Sequence, residues 1–205
     1  MIRFPVKAKS YEQLKTLSQP QARRGGASEC YAHAFYDTES YVDVTTLFLD
    51  FFVTTKANRQ LSNLSPAGAL PVDMFFEIYH FMVDVLYPKS DVAWADYQML
   101  LQGTGAEGGP IFSFILADKN YGPWPLTLLH GTGGITGFGL GPAAAAVEEY
   151  ANNSIPDGSL FQDGALVIPP NTGFSARIEW AATCDIAANK YLRLTMAGVL
   201  HRAIR

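Results

Sequence analysis

The sequence predicts an all-β protein, a single antiparallel sandwich with about eight strands and two short helical insertions. Apolar runs rich in Val, Ile, Thr, Phe and Tyr are separated by clusters of Gly, Pro, Asn and Asp, as consecutive strands and turns are. Strand and helix patterns do not alternate regularly, which argues against a doubly wound parallel sheet. With 205 residues, 48% of them hydrophobic, the chain is long enough to bury a core, and disorder over most of its length is excluded.

The strand patterns begin close to residue 30 and continue to the end of the chain. Within 42–55, residues on both alternating faces are largely apolar, which predicts a strand in the centre of a sheet. The predicted strands lie near 30–36, 42–55, 72–87, 110–117, 124–130, 160–168, 173–180 and 190–203.

Two segments between these strands have helical patterns. Ser90 is a suitable N-cap for a short helix with apolar residues at three- and four-residue spacing, and Gly103 is a suitable end. A second helix is predicted over 142–152, because Pro142 suits a first helical position and four alanines, the best helix formers, follow it.

Charge divides the chain into a basic N-terminal arm, residues 1–28, and one domain, residues 29–205. The arm carries six basic residues against Glu12 alone, a net charge of +5, whereas the domain has 9 basic and 18 acidic residues, a net charge of −9. Such an arm binds nucleic acid, acidic membranes or a neighbouring subunit, or else it is a solvated tail. The residues predicted to make these contacts are Arg3, Lys7, Lys9, Lys15, Arg23 and Arg24.

Cysteine usage predicts folding in a reducing, cytosolic compartment. The two cysteines, Cys30 and Cys184, cannot form a disulfide framework and have no metal-binding spacing. The first ten residues lack the apolar stretch of a signal peptide, and charged residues interrupt the longest apolar run. We therefore expect neither a secreted nor a membrane-spanning protein.

The densest glycine run, residues 130–141, does not match a nucleotide-binding motif. A phosphate-binding loop needs G-K-[ST], and the spacing of the glycines does not fit G-x-G-x-x-G between a strand and a helix. The motifs H-E-x-x-H and G-x-S-x-G are also absent from the sequence. The sequence thus predicts no enzyme, no cofactor and no metal site.

Four polar residues interrupt the apolar segment 72–87: Asp73, Glu77, His80 and Asp84. In a helix they would share one face, with Glu77 and His80 forming the E-x-x-H pair of a di-metal site, but no second copy of that pair occurs. The aromatic and β-branched residues around them favour a strand, which would scatter the four across two faces.

The order of these features resembles the coat proteins of icosahedral tailless bacteriophages. An inner strand at 45–55 leads into a loop, 59–71, that closes with A-G-A-L-P before the next long strand. Next, the short helix and the strand at 110–122 run into the segment P-L-T-L-L-H-G-T-G-G-I-T-G. Residues 166–180 resemble the penultimate strand pair around a P-P-N-T-G turn, and 191–204 resemble the closing strand.

This resemblance implies a jelly-roll sandwich and a virion structural protein that self-assembles into an icosahedral shell through large apolar interfaces. The implied partners are copies of the chain and other coat proteins, with the arm contacting the genome or an internal membrane and no small-molecule substrate. The implied location is the virion, after folding in the host cytoplasm.

The alternative is a ligand-binding jelly roll. A cupin-like metal site would require His80 and His201 to meet, and a lectin-like site would use Trp124 or Trp180 as an exposed platform.

Overall fold

The fold is an antiparallel β-sandwich, seen in a computed structural model. The structure describes residues 28–86, 96, 99–101, 103, 108–129, 135–140, 148–152, 166–186 and 189–203. Its strands are β1 (Ser28–Tyr41), β2 (Phe48–Phe51), β3 (Met74–Leu86), β4 (Ile111–Leu116), β5 (Lys119–Pro125), β6 (Ile135–Leu140), β7 (Glu148–Asn152), β8 (Leu166–Ile168), β9 (Phe174–Glu179) and β10 (Lys190–Ala203). A 3-10 turn, Leu126–Leu129, follows β5.

Eight of these strands form two four-stranded sheets, and the chain crosses between the sheets at almost every step. The first sheet has the order β1-β10-β3-β8 and the second the order β2-β9-β4-β5, while β6 and β7 form a separate hairpin. Only β4 and β5 are consecutive neighbours within one of the two large sheets. Two sheets of four strands connected in this way make a jelly roll, which confirms the predicted all-β sandwich.

Aromatic residues fill the space between the sheets. Phe81 on β3 contacts Phe112 and Phe114 on β4, with ring centroids 4.9 and 5.1 Å apart. At the end of the sandwich where β1 ends, Tyr41 meets Trp180 edge to face at 4.9 Å. These contacts join the two sheets directly, so the core is continuous from one sheet to the other.

The predicted central strand over 42–55 is wrong in both length and place. Only Phe48–Phe51 forms β2, and it lies at an edge of its sheet because it pairs with β9 alone among the described strands. Val44 and Phe52 on either side of β2 have positive φ angles of 45° and 64°, which an extended strand does not allow. Because the chain bends at these two points, the apolar residues of 42–55 do not lie on the two faces of one strand.

The predicted helix over 142–152 is also wrong in its second half. Residues 148–152 form β7 and pair antiparallel with β6, so cross-strand pairing determines the conformation of this half of the segment. Residues 141–147 lie outside the described residues. The first predicted helix fares better, since Asp96 and residues 99–101 are helical and Gly103, with φ +82°, donates its N–H to Met99 O at 3.0 Å.

The other predicted strands agree with the structure to different extents. The predictions near 30–36, 72–87, 110–117, 173–180 and 190–203 correspond to β1, β3, β4, β9 and β10. In place of the strand predicted near 124–130 the chain forms β5, which ends at Pro125, and then a 3-10 turn. Of the segment 160–168, the described part is β8.

Strands β3 and β10 run side by side through the first sheet and contain one irregularity. Ile78 lies opposite Gly198 and His80 opposite Ala197, which leaves Tyr79 as an extra residue, a β-bulge. A Cβ atom on Gly198 would lie 1.8 Å from the Glu77 carbonyl oxygen, so only glycine fits at this point. The close approach of the two backbones sets the register of the sheet.

We expect Gly198→Ala to destabilise the protein by about 3 kcal/mol or more, because the new methyl group overlaps backbone that cannot move without breaking the ladder. Gly173→Ala is the matched control, since no atom lies within 4 Å of a Cβ built there. Urea unfolding of both variants measures the difference. Equal free energies of unfolding for the two variants would show that the bulge does not require glycine.

Candidate functional site

The six basic residues predicted to make contacts in the arm lie outside the described residues. Arg3, Lys7, Lys9, Lys15, Arg23 and Arg24 therefore remain a prediction from the sequence. The candidate features that the structure describes lie in the sandwich itself: a buried polar cluster on β3, an apolar turn beside β2, and an open groove.

The bulge at Tyr79 brings together polar residues that the sequence pattern predicted to be apart. Phe76 and Ile78 face the core before the bulge, and Phe81 and Val83 face it afterwards. The alternation therefore changes phase, and Glu77, His80 and Asp84 share the outer face of the sheet. The prediction that a strand scatters these residues across two faces is wrong for these three, because it assumed a regular strand.

Glu77 is the centre of this cluster and is fully buried. Tyr79 Oη donates a hydrogen bond of 2.7 Å to Glu77 Oε2, and His201 Nε2 on β10 lies 3.1 Å from Glu77 Oε1. Burial and the neighbouring Glu77 raise the pKa of the Tyr79 hydroxyl well above its usual range, so it stays a donor at neutral pH. The Glu77 side chain thus contacts a hydroxyl on its own strand and an imidazole on β10, and these buried polar contacts connect the two strands on the outer face of the sheet.

The cluster does not form the metal site of a cupin. His201 contacts Glu77, but His80 lies opposite Ala197, further along β3, and both histidines face away from the space between the sheets. Within the described ranges, no three His, Cys, Asp or Glu side chains are close enough to hold a metal ion together.

The two tryptophans of the lectin-like alternative are not exposed platforms. Trp180 is buried and donates its indole N–H to Leu100 O at 3.0 Å, which fixes the helical residues to the sandwich. Trp124 is half-buried and stacks on Phe112 at 5.9 Å. Both rings contribute to packing.

The cysteines differ in environment. Cys184 is buried, its Sγ lies 3.4 Å from Met99 O, and burial raises the pKa of its thiol. A raised pKa lowers the thiolate fraction, so Cys184 is a packing residue and not an activated nucleophile. Cys30 is exposed on β1.

A buried ion cluster, which the sequence analysis missed, attaches the loop after β2 to β1. Asp37 is fully buried, accepts the Phe52 N–H at 2.6 Å and pairs with Lys56 Nζ at 2.8 Å. Lys56 also contacts Glu39, whose pKa is raised by burial. Residues this far apart in sequence carry no local motif that would have revealed the contact.

The turn between β1 and β2 presents four apolar side chains to solvent. We call residues 42–48, this turn together with the first residue of β2, the apolar tip. Its side chains Val42, Val44, Leu47 and Phe48 are between 42% and 54% exposed. The tip is held by backbone hydrogen bonds from Val44 N to Cys184 O and from Trp180 N to Leu47 O. Exposed apolar residues concentrated in one ordered segment mark an interaction surface, whereas single exposed ones do not.

Charged residues lie directly beside the tip. Arg177 on β9 binds Asp50 with two hydrogen bonds of 2.6 and 2.9 Å, and its guanidinium lies over the Phe48 ring at 4.6 Å. Hydrogen bonding to Asp50 raises the pKa of Arg177 further above its usual value. The Phe48 ring is thereby held in place while half of it faces solvent.

An open groove of about 450 Å³ lies at the opposite end of the second sheet. Phe52, Val53, Ile115 and Phe174 supply apolar side chains, and Asp118 is the ionisable residue in its lining. Small residues, Ala67, Gly68, Ala117 and Gly173, form much of the remainder. The groove has room for a side chain or a small ligand, but its lining offers few groups that would specify one.

The Glu77 cluster generates a prediction about stability. We expect Tyr79→Phe to cost about 1–3 kcal/mol, because a buried carboxylate oxygen loses its hydroxyl donor. Tyr36→Phe is the control, since the Tyr36 hydroxyl donates to Arg59 O at 2.6 Å in an exposed setting and its loss costs less. Chemical denaturation of both variants makes the comparison. If Tyr79→Phe lowers the free energy of unfolding no more than Tyr36→Phe does, the buried hydrogen bond from Tyr79 to Glu77 does not stabilise the fold as expected.

Comparison of the chain with models of protein families, with curated proteins and with solved structures finds no match. Among the described residues, no helix is long and apolar enough to cross a membrane.

Proposed function

We propose that this chain is a structural subunit of a virus particle, a capsid protein of the kind found in icosahedral tailless bacteriophages. In this proposal it assembles with copies of itself and with other coat proteins, and it is not an enzyme. It would fold in the host cytoplasm and end in the virion.

The observation that carries the proposal is the apolar tip. Val44 has a φ of 45°, an unusual backbone conformation for a β-branched residue, and the surrounding hydrogen bonds hold it there. An ordered turn that exposes Leu47 and Phe48 leaves apolar area in water that burial against another subunit would remove. Permanent subunit interfaces are large and apolar, and a shell subunit needs several of them.

The fold supports the same proposal in a weaker way. Jelly rolls with this architecture form viral shells, but they also form lectins and cupins, so the fold alone does not choose between them. Here Trp180 and Trp124 pack against Tyr41 and Phe112, and His80 and His201 face away from the space between the sheets. Both placements favour the structural role over the two ligand-binding alternatives.

The groove is the feature that favours a ligand-binding jelly roll. Its volume of about 450 Å³ suits a small ligand, and Asp118 provides one charged group. Binding in a glycan array or to a small-molecule library, lost on Asp118→Ala and Ile115→Trp, would support this second function.

We expect Phe48→Asp to weaken self-association by about tenfold or more, because a charge replaces an apolar contact at a proposed interface. Val72→Asp is the matched control, since Val72 is similarly exposed at the other end of the sandwich. Light scattering after size-exclusion chromatography and negative-stain imaging of the leading peak measure assembly. Particles or rings in the native protein, retained in Val72→Asp and lost in Phe48→Asp, are the expected result; a monomer at all concentrations, also in the presence of candidate coat partners, would contradict the proposal.

The basic arm generates a separate prediction. Replacing its six basic residues by Gln should abolish salt-sensitive binding to nucleic acid or to anionic vesicles, because counterion release depends on those charges. The full-length native chain and the variant are compared by fluorescence anisotropy between low and moderate salt. Unchanged binding and assembly in the variant would show that the arm is a solvated tail. The residues to replace are Arg3, Lys7, Lys9, Lys15, Arg23 and Arg24.

A further inference from the structure

The beginning of β1 is an open sheet edge. One side of β1 pairs with β10 along its whole length. On the other side, Asn63 covers the strand further along, where its Nδ2 donates to Ala34 O at 2.8 Å and its backbone N–H donates to Tyr36 O at 3.3 Å. From Ser28 to His33, no strand in the described part of the chain pairs with this edge, and residues 29–32 are exposed.

The direction of the backbone groups along this edge follows from the contacts of Asn63. Ala34 and Tyr36 point their backbone groups away from β10, towards Asn63. Because the direction alternates along a strand, Cys30 and Ala32 also point their N–H and C=O groups outwards. These two residues can pair with an added strand, which is the contact that natural sheet edges are usually protected from making.

The side chains along the edge alternate as well. Glu29, Tyr31 and His33 share one face of β1, and Cys30 and Ala32 lie on the other. Tyr31 meets His33 edge to face at 5.9 Å, and His33 meets Phe35 at 4.6 Å, so a row of rings leads from the core to the open edge. The edge therefore presents an acid, an aromatic ring and an imidazole in sequence, each two residues from the next.

We propose that this edge pairs with the same edge of a second copy of the chain, antiparallel and across a two-fold axis at Tyr31. Tyr31 then lies opposite its own counterpart, and Cys30 lies opposite Ala32 of the second copy, with both of their outward backbone groups bonded. Glu29 lies opposite His33 of the second copy, and the symmetry makes this acid–imidazole contact twice. An imidazole N–H donates to a carboxylate whether the ring is neutral or charged, so side-chain hydrogen bonding and backbone direction are satisfied together.

Neighbouring registers satisfy fewer of these conditions. An axis at Ala32 would require the Ala34 carbonyl, which already accepts from Asn63. An axis at Cys30 would place Glu29 opposite Tyr31 and leave His33 without an acidic partner. Arg202, opposite Glu29 on β10, lies 3.9 Å from Asp73, so the second copy's imidazole meets a carboxylate that Arg202 does not bind.

The inference rests on the proposed self-assembly but needs only two copies. It names one contact of the assembly, a continuous sheet formed by β1 and β10 of both subunits. Because a pair of chains can form whether or not a shell does, the two proposals can fail separately.

The test is disulfide trapping in the full-length chain with Cys30→Ser. In that background, Tyr31→Cys should give a covalent dimer under mild oxidation, because directly opposed residues of a non-hydrogen-bonded pair have Cα atoms about 4.5 Å apart, within disulfide range. His33→Cys is the matched control. Its counterpart would lie four residues out of register, about 14 Å away, which no disulfide spans.

A charge exchange tests the register independently. His33→Glu should raise the dissociation constant of the dimer about tenfold, because it places two acids opposite each other twice. Adding Glu29→Lys to that variant should restore the native value. Light scattering over a concentration series measures the constant, and thermal melts of each variant check that it folds.

Efficient trapping through residue 31, little through residue 33 and rescue by the exchange would support the proposed pair. Equal trapping at both positions, or none at residue 31 at concentrations where the native chain associates, would overturn it. Particles that form without trapping at residue 31 would leave the coat proposal standing and remove only this contact. Trapped dimers that form without particles or partner binding would support the edge contact and contradict the coat proposal.

Discussion

The close contact between β3 and β10 at Gly198 is the constraint on which the rest of the structure depends. β10 lies inside the first sheet and pairs with β1 on one side and with β3 on the other over almost its full length. At Gly198 the backbone of β3 approaches so closely that no side chain fits. The bulge at Tyr79 follows, and with it the change of face that lets Phe76 and Phe81 both reach the core.

The same bulge explains why a fully buried carboxylate is found on the outer face of the sheet. Glu77 lies just before the bulge, where Tyr79 and His201 reach it from two strands. In a regular strand, His80 would have pointed between the sheets, among the phenylalanines. The bulge places an apolar residue there instead, so the core keeps its apolar lining.

The sequence predicted the fold class and most long strands because their apolar runs and turn residues are local signals. It did not predict the bulge, since a glycine in a strand indicates a close approach of another group but does not identify that group as the backbone of β3. The apolar segment around β2 was misplaced because Val44 and Phe52 adopt positive φ angles that tertiary contacts impose, Phe52 through the buried Asp37. The turn between β4 and β5 lacks an Asn-Gly signal, yet Ala117 takes a φ of 52° there. The ion cluster at Asp37 and the apolar tip depend on residues distant in sequence, which no motif connects.

The two surfaces proposed for assembly lie at opposite ends of β1. The open edge is at its beginning and the apolar tip directly follows its end, so about 30 Å of strand, from His33 to Val42, separates them. A two-fold contact at the edge uses the same surface of both chains, so it joins two chains and cannot add a third. A contact through the tip to a different surface of a neighbour has no such limit and propagates. A subunit that combines one closed contact with one propagating contact can build an extended surface from paired chains, which is what a shell requires and what an isolated ligand-binding jelly roll has no need of.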